Sequence, residues 1–263
     1  MHMRSIFRIC ATVLVASVFT QSALADEIMP PADDTRPLTI GLLGGYVDKP
    51  IKGIDDSDKV VVAPLIIYEG ERFFFRATTF GWKFIDSEDL EFAVIAEGRF
   101  AESWDSSDSN ALSGMSDRDP SLDGGLALTL REGNFGGKFT AVGDLTDEHS
   151  GFEVRAEGFY QTRMGKWLPR FSAAVIYQSE NLVEHYYGVE TNEAIPIVRP
   201  AYSPDATVNF RLQAVTAYAL RPKWTVIVGT RYEFLGDEID DSPITDDDGR
   251  FMFVAGIGYT FRK

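Results

Sequence analysis

Apolar and polar residues alternate along most of the chain, and residues 250–261 show the pattern most clearly. One set of alternate positions in this segment is apolar and rich in aromatic residues, whereas the other set is small or weakly polar. The first set is Phe251, Phe253, Ala255, Ile257, Tyr259 and Phe261. Because successive side chains of a strand point to opposite faces, the segment is predicted to be a β-strand with one apolar face.

The same alternation recurs in ten earlier segments, with turn residues between them. They cover residues 38–46, 60–68, 72–83, 90–100, 122–131, 135–144, 152–161, 167–180, 208–218 and 224–234. Residues 60–68 are apolar on both faces and contain Pro64, which predicts a bulge or a weakly paired edge. No segment has a convincing helical period, so we predict almost no helix after the amino-terminal apolar run.

A chain of this kind is either a soluble sandwich or a membrane barrel. Segments of about ten residues match the roughly 9 to 11 that cross a bilayer when tilted, whereas soluble strands are nearer 5 or 6. Aromatic residues recur at the segment ends, as in interfacial girdles, and short turns alternate with long acidic loops in the second half. We therefore predict a transmembrane antiparallel up-and-down β-barrel of 12 strands, with 10 strands as the alternative.

The strand count leaves one crossing unassigned. Eleven segments are recognisable, yet bacterial barrels normally have an even number of strands and both termini in the periplasm. Counting from the two ends of the chain produces a conflict between Trp104 and Pro120. We expect this stretch either to contain the missing strand or to enter the lumen.

The amino terminus carries an export signal. Residues 1–25 combine Arg4 and Arg8 with an apolar run and a closing Ala23-Leu24-Ala25, the layout of a signal peptide. Its removal would also remove Cys10, which leaves no thiol chemistry. We interpret residues 26–37 as a disordered periplasmic lead-in and residues 38–263 as a barrel of the Gram-negative outer membrane. Outer-membrane lipid, lipopolysaccharide and the barrel-assembly machinery are then expected partners.

The net charge of the chain excludes one class of partner. The formal net charge of −15 argues against a nucleic-acid partner, because phosphate binding requires a basic face.

Charged residues on the strand faces opposite the apolar ones are predicted to form a lumen network of mixed sign, either as structural pairs or along a path for small solutes. The predicted network is Arg72, Arg76, Glu91, Glu97, Arg99, Arg131, Glu153, Arg155, Glu157, Arg211, Arg231 and Glu233.

The last strand also predicts an assembly signal. Barrel-assembly signals usually end on a final aromatic residue, whereas here Arg262 and Lys263 follow Phe261. We expect Tyr259 and Phe261 to form the signal, with Phe261 as the recognised residue.

Candidate catalytic and metal-binding residues are sparse. Barrel hydrolases need a histidine near a serine or carboxylate. His149 precedes Ser150, but adjacent side chains seldom face each other, so we interpret His149 as a solvated loop residue and predict no enzyme. His185 is expected to pack in a loop, with a pH-responsive or ligand role as the alternative.

No cofactor or metal site is predicted. Two histidines without cysteine give no metal-ligand spacing. The acidic clusters at 55–58, 237–241 and 246–249 lack the spacing of a calcium loop. We interpret them as soluble loops, with bridging through divalent ions to lipopolysaccharide phosphates as the alternative.

Several short motifs resemble the MipA/OmpV family of outer-membrane proteins. They occur in the family order over nearly the whole mature chain, at residues 114–119, 122–128, 186–189, 202–204, 232–235 and 256–261. The chain departs from the family pattern at residues 50–56, where a tyrosine is expected near the glycine. The resemblance implies a non-enzymatic barrel.

The resemblance also implies a function. The protein that gives the family its name is a scaffold joining a murein transglycosylase to a peptidoglycan synthase, and other members are adhesins or surface antigens. A scaffold contacting peptidoglycan-remodelling enzymes at the periplasmic turns is therefore expected. A narrow passive channel and an outer-loop adhesin remain alternatives.

Overall fold

Twelve antiparallel strands close into a single barrel in the computed structural model, which describes residues 38–54 and 59–261. Each strand pairs with its neighbours in sequence, and the last strand pairs with the first, so the predicted 12-stranded up-and-down barrel is confirmed. The strands are β1 (Leu38–Val47), β2 (Val60–Glu69), β3 (Phe73–Arg76), β4 (Thr79–Asp86), β5 (Leu90–Arg99), β6 (Ser121–Glu132), β7 (Phe135–Asp144), β8 (Phe152–Gln161), β9 (Trp167–Gln178), β10 (Thr207–Arg221), β11 (Trp224–Phe234) and β12 (Gly249–Phe261).

The missing strand lies within residues 72–83, which were predicted to form one strand. The structure divides them between β3 and β4, joined at Ala77 and Thr78. Ala77 adopts a φ of 60°, a conformation that glycine or asparagine normally provides. Because the turn contains no glycine, proline or asparagine and is flanked by phenylalanines, the sequence gives no sign of it. Residues 100–120 contain no barrel strand.

Alternate residues face lipid and lumen as the pattern predicted. In β12, Phe251, Phe253 and Phe261 are exposed on the outer surface, whereas Met252 and Val254 are buried inside. The inner surfaces of β1, β2, β10, β11 and β12 each contribute buried apolar side chains. Their buried side chains form one cluster, which includes Leu43, Leu65, Val215, Ile227 and Val254.

Glycines allow the first and last strands to meet closely. A Cβ atom added to Gly41 would press against the backbone oxygen of Ile257, and one added to Gly256 would press against that of Leu42. The two strands pair from Leu38–Phe261 to Val47–Met252, without a break in register. Phe261 is thus the last residue of the closing strand, and the centroid of its ring lies 4.8 Å from that of Tyr259.

The β2 strand has an incomplete partner on one side. β3 pairs only with Ile67, Tyr68 and Glu69, and the last bond on this side runs from the Ala77 N–H to the Ile66 carbonyl. Because backbone groups of alternate residues point the same way, the nitrogen of Pro64 faces the side where β3 has ended. A proline costs no ladder hydrogen bond there, which accounts for the predicted weak edge.

Short turns join the strands at one end of the barrel and longer loops join them at the other, apart from the turn at Ala77 and Thr78 between β3 and β4. Since barrels of this class have short periplasmic turns and long outer loops, we assign the chain termini to the periplasmic end.

The outer loops contain a 3-10 helix (Asn110–Leu112) and two α-helices, α1 (Glu180–Tyr187) and α2 (Asp237–Asp240). The expectation of almost no helix was wrong for these loops. None of the helices in the described ranges is long and apolar enough to span a membrane. The predicted signal peptide and lead-in, together with residues 55–58, 262 and 263, lie outside those ranges.

Candidate functional site

The outer loops fold together into a cap with its own hydrophobic core. Trp104, from the loop after β5, donates its indole N–H to the Tyr186 carbonyl of α1 at 3.0 Å. Ser242, from the loop after β11, donates to the Tyr187 carbonyl at 2.6 Å. The buried apolar residues of the cap are Ile51, Ile54, Trp104, Leu112, Met115, Leu182, Val183, Tyr186, Tyr187, Val189, Leu235, Ile239 and Ile244.

The α1 helix supplies much of this core. Leu182, Val183, Tyr186 and Tyr187 are all buried, and their spacing places them on one helix face. The helix is only eight residues long, so its sequence does not show the repeated period of a longer amphipathic helix. Burial raises the pKa of the Tyr187 hydroxyl well above its ordinary value, which keeps that group neutral in the cap.

A first group of buried charges lies inside the wall formed by β2 to β5. The Arg76 guanidinium donates to both carboxylate oxygens of Glu91 at 3.1 Å and to Glu69 at 2.5 Å. Lys83 lies 3.2 Å from Glu69. Below the guanidinium, the Phe74 ring centroid is 4.0 Å from its central carbon. Each cation therefore has an anion, and the group carries no unbalanced charge of one sign.

A second group lies at the outer ends of the strands. Arg99 contacts three carboxylates: Asp123 at 2.8 Å, Glu102 at 3.2 Å and Glu153 at 3.0 Å. Gln178 adds a hydrogen bond to Glu153 at 3.0 Å.

A third group joins the second to the closing strands. Glu233 is completely buried and accepts from Arg211 at 2.7 Å and from Arg250 at 2.8 Å. Arg250 also lies 3.2 Å from Glu102, so one carboxylate connects the two groups. Burying such ions costs several kcal/mol each unless they are paired, which explains why the pairs are so complete.

The structure brings most of the predicted network residues together, with two exceptions. Arg155 pairs with Glu97 and Arg170 with Glu157, each at 2.7 Å, and Arg231 donates to Gln213. Arg72 instead lies exposed at an inner turn and donates to the carbonyls of Lys83 and Phe84. Arg131 is at the inner rim, 3.9 Å from Glu91.

Six charged members of these groups were absent from the predicted network. Asp123 and Arg170 lie on the polar parity of their strands, which was a usable signal. Glu102 lies in an acidic loop and gave none, because only the folded chain brings it between two arginines. The added residues are Glu69, Lys83, Glu102, Asp123, Arg170 and Arg250.

His149 is buried and not a solvated loop residue, so that interpretation was wrong. Its Nε2 atom lies 3.0 Å from the Asp123 carboxylate, and its Nδ1 atom accepts the Gly151 N–H at 3.0 Å. Because Nδ1 acts as an acceptor, the ring proton is on Nε2. Ser150 turns away and donates to Asp147 at 3.3 Å. The pair His149–Ser150 therefore lacks the geometry of a base and its nucleophile.

Asp123, Asp144 and His149 lie close enough to be tested as a metal site. Their candidate ligand atoms are all within 4.8 Å of one another. However, Asp144 already accepts from the backbone of Thr146, His149 and Ser150, and Asp123 faces the Arg99 guanidinium. A cation would have to displace these donors, so the residues do not fit a metal ion.

His185 lies in the cap beside His149, with ring centroids 6.4 Å apart. Burial, together with the nearby positive charge of Arg118, lowers the pKa of His185 to about 4, and the negative charge of Asp144 opposes this only in part. Glu148 approaches at 3.7 Å and would pair with the ring only when it is protonated. His185 is therefore neutral at pH 7.

Glu233→Gln should strongly destabilise the barrel. The substitution leaves Arg211 and Arg250 close together without their shared anion, and breaking a buried ion pair costs about 3–5 kcal/mol. The shift in the urea midpoint of the detergent-solubilised protein measures this cost. Glu132→Gln, at an exposed carboxylate, is the control, and equal shifts in both variants would contradict the role of Glu233.

Acidification should loosen the cap through His185. Because its folded-state pKa of about 4 is below the ordinary 6.5, the unfolded state binds more protons in this window. The free energy of unfolding is therefore unaffected by His185 above about pH 6.5. It decreases as pH falls toward 4, by up to about 3 kcal/mol.

The urea midpoint of Trp104 fluorescence, with the other three tryptophans replaced by phenylalanine, measures this loss. Glu148 and Asp105 also titrate in the acidic range, so the comparison is between His185 and His185→Phe. Identical pH dependence in both proteins would rule out His185 as the cause.

Comparison with known proteins agrees with the architecture. Residues 40–261 match the family described as MltA-interacting protein MipA. A putative outer membrane protein, YiaT of Escherichia coli K12, is 29% identical over 251 residues, which cover 94% of this chain and 96% of the relative. The MltA-interacting protein of the same organism is 27% identical over 225 residues, with 85% and 90% covered.

Among solved structures, an outer membrane channel from Pseudomonas putida F1 aligns over 89% of this chain and 97% of its own. Its TM-score is 0.44 and its sequence identity 11%. The family match extends from the second residue after the start of β1 to the end of β12. The chain is thus an outer-membrane β-barrel protein that belongs to the MipA family.

Proposed function

We propose that this barrel is a non-enzymatic scaffold that presents its short periplasmic turns to a murein transglycosylase and a peptidoglycan synthase. The observation that carries the proposal is that the outer mouth is covered by a cap with a buried apolar core. Below the cap, the charge groups around Arg99 and Glu233 consist of pairs of opposite sign. Selective pores instead tend to separate charge or to leave a ring of one sign.

The relative named MltA-interacting protein supports the choice of partner, because that name describes binding to another protein and no reaction. The periplasmic side offers exposed turns and no pocket lined by a histidine and a nucleophile among the described residues. A partner would therefore recognise the charges and shape of these turns. Exposed Glu88 and Asp89 form the acidic tip of the turn between β4 and β5.

Charge reversal at this turn should weaken retention of a murein transglycosylase on the immobilised barrel. We expect Glu88→Lys with Asp89→Lys to lower retention about tenfold. The reason is that the charges of two binding surfaces must be complementary, and the substitutions place positive charge where the partner meets negative charge. Asp246→Lys with Asp247→Lys makes the same charge change at the outer end and should leave retention unchanged. Loss in the outer variant alone, or a steady single-channel conductance in planar bilayers, would contradict the scaffold and, in the latter case, favour a narrow passive channel.

The outer-loop adhesin is a second candidate, supported by an exposed apolar loop tip. Ile197 is fully exposed and has a φ of 73°, an outlier for a β-branched residue. Ile195 and Val198 beside it are also exposed. The tip is held rigidly, because Arg199 pairs with the Ile195 backbone and donates its guanidinium to the carbonyls of Glu193, Ala111 and Ser113. A strained, preformed apolar tip is suited to binding another surface.

Ile197→Asp with Val198→Asp should lower attachment of intact bacteria to a protein-coated surface severalfold if the tip is adhesive. Leu145→Asp, at another exposed apolar residue of an outer loop, is the matched control. Unchanged attachment in the tip variant would dismiss the adhesin and leave the scaffold unaffected.

A further inference from the structure

An apolar groove of about 600 Å³ crosses the lipid-facing surface of β9 to β12. The strand register explains its shape. Phe171, Ala214, Thr230 and Phe253 are successive cross-strand neighbours on one row of the outer face. Two small residues therefore lie between two exposed phenylalanines, which leaves a depression two strands wide.

The periplasmic end of this groove is bordered by Met164 and Trp167, at the turn that joins β8 to β9. Trp167 packs against Tyr218 with ring centroids 4.6 Å apart, and Trp224 packs against Tyr259 with ring centroids 5.1 Å apart. Tryptophan and tyrosine favour the boundary between hydrocarbon and headgroups. The groove thus begins at headgroup level and continues into the hydrocarbon region.

Four exposed cations occur in the two turns at this end of the barrel. Arg163 and Lys166 belong to the turn before β9, and Arg221 and Lys223 to the turn between β10 and β11. The Lys166 carbonyl accepts the Ala219 N–H at 2.9 Å, which places the two turns side by side. No acidic residue occurs at 162–167 or 219–224, although the whole chain has a net charge of −15. None of the four cations has an ion pair within the described part of the chain.

We propose that the groove and these two turns form a binding site for an anionic phospholipid of the inner leaflet. One acyl chain lies between Phe171 and Phe253 over Ala214 and Thr230. The headgroup phosphate contacts Lys166 and Arg221. Basic residues next to apolar membrane surface are the usual means by which proteins select anionic lipids.

The main competing occupant is a second copy of the chain. A twofold interface centred on the groove would place the same surface on both sides. It would bring the four cations of each copy toward those of the other, without a counter-ion from either. An anionic lipid instead supplies the missing charge and the apolar chain together.

Native mass spectrometry of the delipidated full barrel tests the site with two probes that have identical acyl chains, phosphatidylglycerol and phosphatidylethanolamine. We expect one phosphatidylglycerol to bind about tenfold more tightly, a difference of roughly 1.4 kcal/mol. Lys166→Gln with Arg221→Gln should remove this preference. Ala214→Phe should weaken both lipids at least tenfold, because the new ring fills the groove.

Two matched controls accompany these variants. Arg72→Gln neutralises a cation at another inner turn, and Ala156→Phe adds a ring to the exposed lipid face of β8. Neither should change binding. Heat-modifiable migration identifies folded protein, and the single variant Lys166→Gln replaces the double variant if the latter fails to fold.

Equal binding of the two lipids by the unmodified protein would overturn the proposal. So would full binding by Ala214→Phe. A dimer that dissociates on Ala214→Phe would also overturn it, and would assign the groove to contact between copies.

Discussion

The pairing of β12 with β1 is the constraint on which the rest of the molecule depends. In hydrocarbon, a free strand edge leaves backbone groups without partners, each at a cost of several kcal/mol, so a sheet must close on itself. Closure here uses an unbroken register and glycines such as Gly41 and Gly256, at which a side chain would collide with the facing backbone. Once the sheet is closed, every strand must have one face for lipid and one for the interior.

The interior is then filled in two different ways. Aliphatic side chains pack on the inner surface around the closing strands, whereas arginines and carboxylates pair elsewhere on the wall and at the outer ends of β10 to β12. The outermost pairs lie beneath the cap, and Glu102 and Arg250 connect loop and wall. Wall, charge groups and cap therefore support one another.

Period-two alternation was sufficient to predict the barrel and the lipid-facing residues, but it identified eleven segments, and the count of 12 also required the rule that bacterial barrels have an even number of strands. The alternation did not reveal the turn at Ala77, because no glycine, proline or asparagine marks that turn in the sequence. It also failed for the cap, because residues such as Trp104 and Ile244 come from loops far apart in sequence and become a core only when the barrel brings them together. The burial of His149 was missed for the same reason. Its partner Asp123 lies on β6, whereas His149 lies in the loop between β7 and β8.

The short β3 strand gives the barrel an uneven mechanical strength. β1 and β12 share ten paired positions, whereas β2 and β3 share three. If the wall were pulled apart sideways, the seam that joins the two ends of the chain would not be the first to yield. The weakest line runs beside Pro64, within the amino-terminal part of the sheet, so a tear would leave β1 attached to β12 and separate the β3–β4 hairpin from β2.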